Sequence, residues 1–129
     1  MPINLSRIIE DINKLKQEVK TLNVNIQDYK KYGIEEFKGI IINYSFDLNS
    51  SLLVLVRDLN MFKPENNPEN FFKIVSIITD NINKALKDML NYDFKDNEMS
   101  QVVRDVINIC NYMIKQLDNL EGYIKTRHL

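Results

Sequence analysis

The sequence predicts an all-α protein: an antiparallel up-down-up-down four-helix bundle with long helices and short turns. Three observations predict it. Leu5, Ile8, Ile12, Leu15, Val19, Leu22, Ile26 and Tyr29 alternate steps of three and four, and the same rhythm returns three times further along. That spacing draws a narrow apolar seam down one side of a helix, and only other helices can shield it from water. The breaks between the stretches are short and carry Gly, Pro, Asn and Asp, and short connections join antiparallel neighbours. Finally, 129 residues with 44% apolar and 27% charged side chains suit a single domain with its own core.

The predicted helices cover 5–32, 35–62, 68–92 and 97–124. Asn4 is placed to cap the first, and Glu10 with Lys14 forms a correctly oriented i,i+4 pair. Tyr32-Gly33-Ile34 ends it, with Gly33 expected in the left-handed C′ position and Ile34 packing on Tyr29. The rival is one continuous helix kinked at Gly33, but that would reach ~85 Å and leave no compact core.

The second helix faces inward through Phe37, Ile41, Tyr44, Leu48, Leu52, Leu55, Leu59 and Phe62. Two steps of four around Leu48 form a stutter, and Gly39 and Asn49-Ser50-Ser51 make its middle the expected place of bending. Lys63-Pro64 stops it. Asn67 as N-cap, Pro68 at N1 and Glu69 in the first turn open the third helix, which faces inward through Phe71, Val75, Ile78, Ile82, Leu86 and Met89. Asp96 or Asn97 caps the fourth, with Glu98 in its first turn. Its seam is Met99, Val103, Val106, Cys110, Met113, Leu117, Leu120 and Ile124, with Gly122 fraying the end.

Chemistry is sparse. The one histidine is His128, and no acid stands on the four inward ladders, so neither a dimetal centre nor a zinc site is expected. Without an internal histidine there is no base for a serine or for Cys110, and the three glycines are too scattered for a phosphate loop. Glu35 and Glu36 read as complements to a helix dipole. No catalytic residue, cofactor or metal is therefore predicted. Cys110 reads as a small buried hydrophobe suited to a reducing cytoplasm. The chain enters its amphipathic pattern without a signal-peptide core. Its longest unbroken apolar run, Leu52 to Val56, is too short for a membrane span.

Seventeen Lys and Arg against 18 Asp and Glu give a net charge of −1, which supplies no global field for nucleic acid. Lys14, Lys16 and Lys20 nevertheless make the first helix locally basic, and they define the alternative function, a small nucleic-acid-associated factor. The leading expectation rests on an apolar surplus. Leu53, Val54, Val56, Phe72, Ile74 and Ile77 exceed what one inward stripe needs and flank the Pro64–Pro68 turn. They are expected to be inner core, a self-association surface or a ligand groove. The function expected from them is a non-enzymatic protein interaction or assembly module, with a protein partner or a second copy in a homodimer.

Overall fold

In the computed structural model of the chain, which describes residues 3–94 and 98–127, Asn4 opens the first helix as its sequence position requires. Its side-chain oxygen accepts a hydrogen bond from the Arg7 amide at 3.0 Å. Helix α1 runs Leu5–Ile26, well short of the expected Tyr32. Asn23, Val24 and Asn25 are weak helix formers, and Ile26 is the last fully buried position of the seam. A 3₁₀ turn, Tyr29–Lys31, follows. Residues three apart eclipse in that geometry, and Asp28 and Lys31 accordingly pair at 2.9 Å.

The expected left-handed stop at Gly33 is corrected by its backbone. With φ −73° and ψ 162° Gly33 is extended and serves as N-cap of the next helix, its carbonyl accepting from the Phe37 amide at 2.9 Å. The chain thus turns between the helices, and the turn is made by the 3₁₀ segment.

Helix α2, Ile34–Met61, passes unbroken through Gly39 and Asn49-Ser50-Ser51. Glu35 and Glu36 occupy its first turn, where carboxylates offset the exposed amide dipoles. Phe62 turns extended ahead of Lys63-Pro64, as the residues before a proline tend to. Asn67 then takes the left-handed conformation (φ 44°, ψ 64°), which asparagine tolerates best after glycine, and its side chain accepts from the Asn70 amide. Helix α3 follows over Pro68–Leu90. Helix α4 spans Met99–Arg127, continuing through Gly122 rather than fraying there. Glu98 stands just ahead of it, its carbonyl accepting from Val102 at 3.0 Å. The expected caps Asp96 and Asn97 lie outside the described residues.

Among the described residues the protein is four α-helices without a strand, 86% helical. Contacts run α1–α2, α2–α3, α3–α4 and α4–α1, a closed ring of antiparallel neighbours. The seams of all four helices meet in one core. Two expected core positions fall short. Tyr44 and Ile78 are half-buried, and Ser45 and Thr79 lie inward beside them. Their hydroxyls donate to the carbonyls of Ile41 (2.7 Å) and Val75 (2.9 Å), so no donor is stranded. Val102, counted in the surplus of α4, is fully buried.

The end of the bundle that holds the α2–α3 turn is stitched from across the fold. Arg127 donates to the Asn66 and Asn67 carbonyls, and its guanidinium lies 5.7 Å from the centre of the Phe71 ring.

Candidate interaction surface

The six surplus residues do not form one patch. Leu53 and Val56 line a groove between α2 and α3 with Ser76 and Thr79 on the opposite wall. Val56 and Phe72 pack partly against the core, and Phe72 also meets the Phe71 ring edge-on at 5.4 Å. Val54 lies on the other flank of α2, the side of Ser51 and Asp58, which bond Glu18 and Arg7 of α1. Ile74 shares a side of α3 with Asn81, whose amide reaches Gln116 of α4. Ile77 points outward by itself. Composition showed how many apolar residues were in excess, and helical phase sends them in four directions.

A different set comes together on α2. Phe46 is 60% exposed, Leu53 61%, Met61 43% and Val54 37%, and all four lie on the outer face of this one helix. Positions 46, 53, 54 and 61 are two heptads read from either end, so they line up opposite the buried ladder. The other large apolar side chains exposed among the described residues are scattered: Val24 on α1, Ile34 at the start of α2, Ile77 on α3 and Tyr112 on α4. Phe46 and Met61 were missed because both fall outside the seam and outside the surplus near the turn. The heptad spacing between Phe46 and Leu53 was the signal that could have found them.

The α2 ridge stands between two open grooves. One, of about 590 Å³, faces α1 and is lined by Lys14, Glu18, Thr21, Tyr44, Asp47 and Ser51 among others. The other, of about 270 Å³, faces α3. At the C-terminal end of the ridge, Met61, Lys63, Pro64, Pro68 and Phe72 line a depression of about 560 Å³. Among the described residues α2 is also the one helix long and apolar enough, by length and composition, to cross a membrane. Reading only unbroken apolar runs had understated it. A third of its most apolar window is buried inside the bundle, and a core helix shares this composition.

The three lysines of α1 are separated by the fold. Lys14 lines the groove toward α2 beside Glu18 and Asp47. Lys16 points to α4, where it pairs with Asp118 at 2.7 Å and Glu121 at 2.9 Å. Burial opposes its charge, but the hydrogen bonds to Asp118 and Glu121 outweigh that and hold the ammonium above its ordinary pKa. Lys20 is exposed on the α4 side of α1. The three share no common face.

The expectation that no acid points inward is corrected by Asp58, which is fully buried. It accepts ion pairs from Arg7 and Arg57, each at 3.3 Å, and hydrogen-bonds the carboxyl of half-buried Asp11. Asp11 is pushed up to about 7 by burial, by this hydrogen bond and by the charge of Asp58, with Arg7 and Arg57 pulling the other way. Asp58 is held low, chiefly by the proton Asp11 offers it. The pair is an acid and its carboxylate bridging α1 and α2.

Cys110 is buried, and burial alone pushes its thiol up to about 12. It is a protonated core side chain at neutral pH. Among the described residues no three His, Cys, Asp or Glu side chains are grouped to hold a metal ion, and His128 lies outside them. The chain matches no family model, no curated protein and no solved structure.

Proposed function

We propose that this chain is a non-enzymatic protein–protein interaction module whose working surface is the outer face of α2. The observation that carries the reading is the line of Phe46, Leu53, Val54 and Met61, exposed along one helix and bordered by grooves. An aligned row of large apolar side chains offers a second helix the burial that water denies it. Leu53 and Val54 carry over from the surplus near the turn, while Val56 and Phe72 support them from below. The buried, protonated Cys110 suits a reducing compartment, the cytoplasm. Nucleic-acid association through Lys14, Lys16 and Lys20 is the weaker reading, since Lys16 is spent on α4 and the other two lie on opposite flanks.

A photo-cross-linking side chain placed at Phe46 or Leu53 tests the proposal in cell extract. Protein adducts are expected from both positions and not from Lys84, an exposed site on α3. Recovery of nucleic acid alone, or of no adduct at either position, would overturn it.

A further inference from the structure

We infer that the occupant of the α2 face is a second copy of this chain, paired antiparallel about a two-fold axis between Leu53 and Val54. The inference rests on the interaction reading above and names its partner. Outward positions of α2 are Phe46, Ser50, Leu53, Val54, Arg57 and Met61, with successive intervals of four, three, one, three and four. That series reads the same in both directions. A two-fold axis perpendicular to the helix at its centre therefore superposes every position on another member of the set, as an isologous contact requires.

The chemistry follows the same symmetry. Leu53 meets Val54 of the second copy twice, at the axis. Phe46 is sent to Met61 of the second copy, at the mouth of the depression formed with Pro64 and Phe72. A phenyl ring that is 60% exposed in one copy thus finds an apolar seat in the other. Asp47 falls opposite Asn60, within a turn of Arg57 and Lys63 on either side, so unlike charges border the apolar row. Parallel pairing would instead set Asp47 against Asp47 and Arg57 against Arg57. Arg57 brings no unpaired charge to the contact, because Asp58 already holds it at 3.3 Å. Six positions per helix make a small interface, so the dimer forms reversibly with concentration.

Purified protein with single and paired cysteine substitutions tests the register, the native Cys110 being buried and inert. Under mild oxidation Leu53→Cys should form a disulfide dimer, because its two copies straddle the axis. Phe46→Cys alone should not, since two-fold pairing separates its copies by ~22 Å along the helix. Phe46→Cys combined with Met61→Cys should cross-link again. Sedimentation equilibrium should show a dimer in the wild type and a monomer for Leu53→Glu, with helicity unchanged. Ser50→Glu supplies a second charge on the row should Leu53→Glu fail to fold. Equal cross-linking by Phe46→Cys and Leu53→Cys overturns the register. A wild type monomeric at ~1 mM overturns the dimer. In that event α2 adducts to a different protein in extract would leave the interaction reading standing without self-pairing.

Discussion

Asp58 shows how a single residue escapes a periodicity argument. It belongs to no apolar ladder, and its burial is tolerable only because Arg7 and Asp11 arrive from α1. Nothing on α2 itself announces those partners, so the position was illegible until two helices were placed together. Lys16 was legible as a charge and not as a bridge for the same reason. The carboxyl pair has a measurable consequence. Asp11 titrates near 7 in the fold and near ~4 in the unfolded chain, so between those values the folded state holds the extra proton. Its contribution is complete below pH ~4 and is lost as pH rises through 7. The lowered Asp58 acts oppositely, contributing above its unfolded pKa and losing that contribution as pH falls through its folded one. Asp11→Asn keeps a hydrogen-bond donor toward Asp58 without a titrating proton. Denaturant unfolding should show the decline between pH 4 and 7 abolished, and a gain of roughly 1–2 kcal/mol at pH 8 after allowance for solvent screening. An unchanged pH profile would mean that the two carboxyls do not share a proton.

At the scale of elements, caps and stops were read correctly wherever one residue type dictates the backbone. Asn4, Asn67-Pro68 and Lys63-Pro64 act as their chemistry requires. The end of α1 was misread because Gly33 suggested a left-handed stop, whereas the helix gives way earlier, where its seam runs out at Ile26. Glycine inside α2 is a separate matter. Gly39 lies in regular helix, and a Cβ added there would meet nothing within 4 Å. Gly39→Ala should therefore raise unfolding free energy by about 0.5–1 kcal/mol, through the unfolded chain's lost freedom and better helix propensity. Thermal denaturation would reveal this, and destabilisation would point to a close neighbour on that face. The candidate surface lies on the same helix, and it too was partly legible. The excess of apolar residues at Leu53 and Val54 was visible in sequence. Their grouping with Phe46 and Met61 depended on helical phase relative to a core that had first to be located.

For the whole molecule, the fold was the most legible property, because four seams of large apolar residues have few ways to meet. The ring of helices also carries a kinetic meaning. Three of its contacts join helices that follow one another in the chain, and only α1–α4 spans almost its full length. Local hairpins form with little loss of chain entropy, whereas the α1–α4 seam must close the longest loop. The Lys16–Asp118–Glu121 cluster lies on that seam and is placed to lock after the hairpins have formed. Lys16→Met should accordingly accelerate unfolding several-fold while leaving the refolding rate nearly unchanged in stopped-flow measurements. A slowed refolding limb would instead put α1–α4 closure in the folding nucleus. If the seam does close last, it is also the first to open, and lifetime in the native state is then set by one lysine and two carboxylates more than by the size of the core.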